Sequence, residues 1–104
     1  MVAPEDLSVS VRREGTHAVV VVAGELDLHS SAVLCERLSH DRDAEVIDLD
    51  AGGVTFIDSG GLHALLVARK AAMDRGAEFR VVAMSEPIAR VVEITGVGEL
   101  LPES

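Results

Sequence analysis

The chain has almost no aromatic residues: two Phe in 104 positions, with no Trp and no Tyr. That scarcity argues against a base-stacking platform for nucleic acid and leaves Val, Leu, Ile and Ala to build the core. Cysteine is scarcer still. Cys35 alone cannot close an internal disulfide, which removes the staple of small secreted domains and points to a reducing, cytoplasmic compartment. Within "SAVLCERL" the thiol is expected to be a buried structural part of a helix. Basic residues number 9 against 18 acidic ones, a formal net charge of −9. Phosphate backbones are gripped by Lys and Arg clusters, so no nucleic-acid partner is expected and a basic protein surface is favoured. The longest apolar run, "AVVVVA", falls far short of the roughly 20 residues that span a bilayer. The start "MVAPEDLSVS" lacks the positive and apolar regions of an export signal, so neither export nor membrane association is indicated.

What is present suffices for one packed domain over 1–104, since 48% of the residues are hydrophobic. "LSVSVRR" (7–13) alternates like a half-exposed strand, and a turn at Gly15 leads into "HAVVVVAG" (17–24), whose continuous β-branched run suits a strand covered on both faces. Ser30 is a good N-cap for the amphipathic "SAVLCERLSHD". "AEVIDLD" (44–50) reads as a third strand broken by "AGG", and "VTFID" leads to a helix from Ser59 to Arg75 closed by Gly76. "EFRVVAM" (78–84) is a fourth strand, and "SEPIARVVEITG" carries a Ser cap, an early Pro and a final Gly96. "VGELL" adds a possible fifth strand. Strands separated by helices call for parallel crossovers, so the expected fold is α/β: a mixed sheet of four to five strands with helices packed on it.

The stretch "VTFIDSGGLHALL" (54–66) sets Asp58 and Ser59 at the opening of a leucine-rich helix. Unpaired N–H groups and the positive end of the dipole gather there, where a phosphate on a hydroxyl is best stabilised. Position alone leaves two readings open: Ser59 or Asp58 is only a cap, or Ser59 is an acceptor. Gly60 and Gly61 each cost roughly 0.8–1 kcal/mol relative to Ala inside a helix, and a plain cap needs neither. They are read as leaving the hydroxyl open to another protein. On a helical wheel His63, Lys70 and Asp74 form a polar face, with Gly61, Leu65, Ala68 and Ala72 opposite as the core face. Leu62, Leu66, Arg69 and Met73 fall on a flank that is either boundary packing or a partly exposed docking strip.

Other chemistries find no support in the spacing. A nucleophile elbow needs Gly two residues before Ser, where Ile57 stands. Asp48 and Asp50 could mimic a phosphoacceptor carboxylate pair, but no acidic pair closes the first strand and no Lys a late one, so they are read as solvated carboxylates near a strand end. His17, His29, His40 and His63 show no metal-ligand spacing, and "AGG" lacks the Lys of a phosphate-binding loop.

Taken together, "GELD" (24–27), "VIDLD" (46–50) and "VTFIDSGGLHALLVARK" (54–70) resemble the STAS domain of bacterial anti-sigma-factor antagonists. The resemblance covers nearly the whole chain and implies a partner-switching protein with no cofactor and no catalysis of its own. Unphosphorylated, such a protein binds a serine-kinase anti-sigma factor and frees the sigma factor. Phosphorylation by that kinase, at the position of Ser59, ends the binding until a phosphatase removes the group. The resemblance also implies partner contacts at Asp27, Asp58, Gly60, Gly61 and Leu62, and the flank read from the wheel adds Leu66, Arg69 and Met73 along the same helix. Gly60 departs from the family, which usually carries a second Ser or Thr there. An alternative within the resemblance is a nucleotide- or ligand-sensing module that is not phosphorylated.

Overall fold

Residues 7–39 and 43–95 are described by the computed structural model of the chain. Polar and apolar residues alternate through β1 (Ser8–Glu14), which pairs antiparallel with β2 (His17–Leu26), Glu14 facing His17 across a two-residue loop. The first loop position is Gly15 at φ 63°, a left-handed value that glycine adopts without a side-chain clash. Two parallel crossovers follow. β2 connects through α1 (Ser31–Ser39) to β3 (Val46–Ile57), and β3 through α2 (Ser59–Asp74) to β4 (Glu78–Met84), giving a sheet in the order β1-β2-β3-β4. Crossovers of one hand stepping in one direction put both helices on the same face, and α1 and α2 do pack together. α3 (Glu86–Thr95) lies chiefly against β3.

The core forms between that helical face and the sheet. Ala18, Val20 and Val22 of β2, Ile47 and Leu49 of β3, and Phe79 and Val81 of β4 meet Leu34 and Leu38 of α1 and Leu65 and Ala72 of α2. The expected α/β architecture is therefore present with four strands, and the fifth, at "VGELL", falls outside the described residues, as does the expected stop at Gly96. β4 has the predicted bounds, and α2 stops at Asp74, one residue short of the expected Arg75, which is its C-cap; Gly76, at φ 83°, follows and donates its N–H to the Met73 carbonyl at 3.0 Å.

Four expectations are corrected. β2 is covered on one face only, for Val21 is 41% exposed, because both crossover helices share the opposite side. "AGG" does not break β3, which runs on to Ile57; a Cβ at Gly53 would stand 2.9 Å from the Ala23 Cβ, so glycine lets the neighbouring strand come close where the ladder shifts register. Cys35 is exposed rather than buried, since the inner side of α1 is taken by Leu34 and Leu38.

Asp48, finally, is no solvated carboxylate. It is the third residue of β3 and is buried. Arg80 of β4 clamps both its oxygens, Nε to Oδ1 at 2.7 Å and Nη2 to Oδ2 at 2.9 Å, while His17 Nε2 of β2 also contacts Oδ2. Three strands are thereby tied across the sheet. Arg80's hydrogen bonds hold the carboxyl below its ordinary value of 3.8 against the opposing effect of burial, and His17 adds to the lowering.

Asp48→Ala is expected to destabilise the fold by about 2 kcal/mol at neutral pH, hydrogen bonds to charged groups being worth roughly 1.5–3 kcal/mol each. A carboxyl whose folded value is depressed stabilises fully above its unfolded value and loses that contribution as pH falls through the folded one. Urea midpoints of the parent should therefore converge on those of Asp48→Ala below pH about 4. Equal midpoints at neutral pH would show that the cluster contributes nothing.

Candidate functional site

Asp58 and Ser59 divide the two roles that the sequence left open. Asp58, in extended backbone at φ −118°, is the N-cap of α2: its Oδ1 accepts from the Gly61 N–H at 2.9 Å, and its carbonyl takes the first helical bond, from Leu62 N at 2.9 Å. A helix leaves its first four N–H groups without intrahelical partners. Two are met here, Gly61 by the Asp58 carboxylate and Asp58 itself by the Leu26 carbonyl at 3.4 Å. The other two belong to Ser59 and Gly60. Ser59 is the first helical residue and is exposed, and no described side chain hydrogen-bonds its hydroxyl.

The glycines have a different purpose from the one read in the sequence. A Cβ at Gly61 would lie 2.1 Å from the Leu26 carbonyl oxygen, and one at Gly60 would lie 2.7 Å from Leu28 Cβ and 2.8 Å from Leu28 Cα. Both are needed for the first turn of α2 to lie directly on the backbone leaving β2. Gly61 is buried and Gly60 half-buried, so they set the position of Ser59 from beneath.

That underlying segment is itself held firmly. Asp27 Oδ1 accepts from the Ser30 N–H at 2.8 Å, and the Ser30 hydroxyl accepts from Asp27 N at 3.0 Å while lying 2.8 Å from the Glu25 carbonyl. The Ser30 N–H, then its hydroxyl, keep the Asp27 carboxyl below the usual carboxylate range. Ser30 precedes α1 as expected, but its hydroxyl points back into this loop while its carbonyl receives Val33 N at 3.0 Å. The knot presents Leu28, 75% exposed, beside the turn that carries Ser59. Leu28 was missed in the sequence because it lies just past the end of β2, where its alternation with Leu26 reads as a strand tail rather than as an exposed loop residue. The available signal was an apolar residue set among polar ones in a loop, where binding residues concentrate.

The structure thus gathers Asp27, Asp58, Ser59, Gly60 and Gly61, and adds Leu28. The helix flank fares differently. Leu62, expected to be partly exposed, is buried at 9% exposure. Leu66 is half-buried against the core, Arg69 is half-buried and Met73 is 51% exposed. Arg69 and Met73 border β4 near Phe79. At 1.5 Å per residue Met73 stands about 21 Å along the axis from Ser59. The core face also includes Ala64, while Ala68 lies only at its edge. His63, Lys70 and Asp74 are exposed as expected, the last two paired at 3.0 Å.

A sequence profile described as "Mlab, STAS domain" matches residues 9–102. This chain belongs to the STAS-domain family of anti-sigma-factor antagonists. The anti-sigma-F factor antagonist RsfB of Mycobacterium tuberculosis is 33% identical to it over 100 residues, which cover 92% of this chain and 80% of RsfB. An anti-sigma factor antagonist from Mycobacterium paratuberculosis superimposes with a TM-score of 0.83 at 24% identity, covering 99% of this STAS domain and 89% of that chain. The unphosphorylated form of the anti-sigma factor antagonist SpoIIAA gives 0.77 at 17% identity, with 93% and 88% covered. The phosphorylated form of SpoIIAA, from Bacillus, gives 0.72 at 17%, with 93% and 91% covered. At these identities the solved structures speak for the fold, the mixed sheet with helices packed on it.

Gly61→Ala is expected to destabilise this STAS domain by about 3 kcal/mol, at the upper end of what overpacking costs, because the added methyl meets a backbone carbonyl. Asp58→Ala, which removes a cap without adding bulk, should cost about 1 kcal/mol. Urea unfolding of the two variants reads both effects, and a Gly61→Ala variant as stable as the parent would show that the first turn of α2 is free to move away.

Proposed function

We propose that this STAS domain is an anti-sigma-factor antagonist that binds a serine-kinase anti-sigma factor, so releasing the sigma factor, and that phosphorylation of Ser59 by that kinase ends the binding. One observation carries the reading: Ser59 opens α2 as an exposed hydroxyl without a hydrogen-bond partner among the described residues, on a rigid turn. Among the described residues none hydrogen-bonds that hydroxyl to activate it, which suits a substrate for an external enzyme rather than a nucleophile. Relatives named as antagonists of anti-sigma factors and a relative solved in both phosphorylation states support the same role. The domain itself catalyses nothing in this scheme, and a phosphatase restores it.

The physics of the switch is local. Phosphate adds about −1.5 to −2 charges beside the Asp58 carboxylate, on a chain of net charge −9. The N–H groups of Ser59 and Gly60, without a partner among the described residues, stand at the helix end to receive its oxygens. A partner seated over Ser59 meets a new anionic group at the centre of its contact. We place that contact on Asp27, Leu28, Asp58, Ser59 and Gly60, with Gly61 and Leu62 supporting it from below. Leu66, Arg69 and Met73 extend it only if the partner reaches down the helix.

Incubation with ATP and the serine-kinase anti-sigma factors of the source organism, followed by mass spectrometry, tests this directly. Phosphate is expected on Ser59 and absent from Ser59→Ala; phosphate chiefly on Thr55 or Ser85 would overturn the proposal. Leu28→Asp separates docking from folding. It should leave stability within about 0.5 kcal/mol of the parent, as exposed substitutions do, and weaken kinase binding tenfold or more, about 1.4 kcal/mol. Unchanged affinity in that variant would move the interface away from the loop.

A further inference from the structure

His63 stands one turn along α2 from Ser59 and is exposed. Residues four apart on a helix are neighbours, with Cβ atoms about 5–6 Å apart, and helical side chains lean toward the N-terminus, each covering the turn before its own Cα. That direction brings the His63 imidazole within reach of whatever Ser59 carries. No hydrogen bond or ion pair holds the ring among the described residues. It is also the one side chain able to bear positive charge in the first two turns, 59–66. The next cations on the helix are remote or committed: Arg69 is half-buried at the margin of β4, and Lys70 pairs with Asp74 at 3.0 Å.

We infer that His63 holds the phosphate placed on Ser59: its imidazolium donates to a phosphate oxygen across one turn and draws the group along the helix, away from the Leu28 loop. The inference rests on the proposed phosphorylation of Ser59 and adds the side chain that answers it. Two constraints select histidine. A permanent cation near a helix start opposes the positive end of the dipole, whereas an imidazole changes charge near neutral pH in response to its surroundings. The phosphate brings about −1.5 to −2 charges beside the Asp58 carboxylate, so a ring that takes a proton from solvent as that charge arrives offsets part of it. The first turn has no freedom to seek another partner, because Gly60 and Gly61 seat it directly on Leu28 and Leu26. The pairing acts on both groups: the imidazolium favours the phosphate dianion and lowers its second pKa, while the dianion raises the pKa of the imidazole.

Phosphoserine installed at position 59 during translation tests the contact without any kinase, so a kinase that leaves Ser59 unlabelled would count against the proposed function and not against His63. Proton NMR follows the imidazole, and phosphorus NMR the phosphate, between about pH 5 and 8. The His63 midpoint is expected about half a pH unit higher in the phosphorylated protein than in the unmodified one, as a helix pair of this spacing gives. In the phosphorylated His63→Gln variant the phosphate midpoint should rise by a similar amount, and His63→Lys should bring it down again. The other ionisable groups about the turn are Asp58, bonded to the Gly61 N–H; Asp27 and His29 on the loop beneath, the former bonded to Ser30; and Glu36 and Arg37 on α1, which packs against α2. All are common to these proteins, so the substitution isolates His63. An unmoved His63 midpoint, or a phosphate midpoint indifferent to His63→Gln, would overturn the inference. The first readout needs no substitution and stands whether or not the variants fold.

Discussion

The first turn of α2 touches the backbone leaving β2 so closely that no side chain fits between them, and the rest of the site depends on that contact. Leu26 contributes most to it. Its carbonyl occupies the space that a Cβ on Gly61 would need, and the same oxygen accepts the Asp58 N–H. Two glycines near a helix start cost helical stability, but here they permit a docking that fixes the height and direction of the exposed hydroxyl at Ser59. The loop beneath is closed by its own Asp27–Ser30 hydrogen bonds. A rigid hydroxyl, a rigid apolar neighbour at Leu28 and a capping carboxylate at Asp58 therefore form one surface.

How much of this was legible in the sequence follows from which interactions are local. Alternation in "SVSVRRE" and the glycine closing α2 are properties of neighbours along the chain, and they placed β1, β4 and the end of α2 to within a residue or two. The capping position was readable as one of two adjacent residues, because either Asp58 or Ser59 satisfies the same local rule. What could not be read depends on partners distant in the chain. Asp48 looks like any carboxylate until Arg80 and His17, 32 and 31 residues away, are seen to hold it. Gly53 reads as part of a break because the neighbour that demands it, Ala23, lies in another strand. The helical wheel gave the right period for α2 but not the breadth of its buried face. Leu62 sits in the first turn, where the helix start is pressed onto the segment after β2, and is covered; Met73, eleven residues on, emerges at the margin of β4.

Acidity is a second theme that composition announces and structure refines. The charges nearest Ser59 are carboxylates already engaged: Asp58 by Gly61, Asp27 by Ser30. In the proposed switch a phosphate thus arrives where anions are present but spent on backbone donors, with two N–H groups unpartnered among the described residues. Its effect falls on whatever partner stands outside, since the domain can absorb the new charge at its own helix end.

Among the described residues β1 and β4 are the two edges of the sheet, and an edge presents a row of backbone groups able to recruit a foreign strand. Their composition answers that hazard. β1 carries Arg12, Arg13 and Glu14 at its turn end, with serines between its valines, and β4 opens with Glu78 and Arg80. The long β-branched run of β2, the most aggregation-prone sequence in the chain by its hydrophobicity and lack of charge, is enclosed between β1 and β3. Charged outer strands thus act as guards for an inner one that could not safely stand at the border.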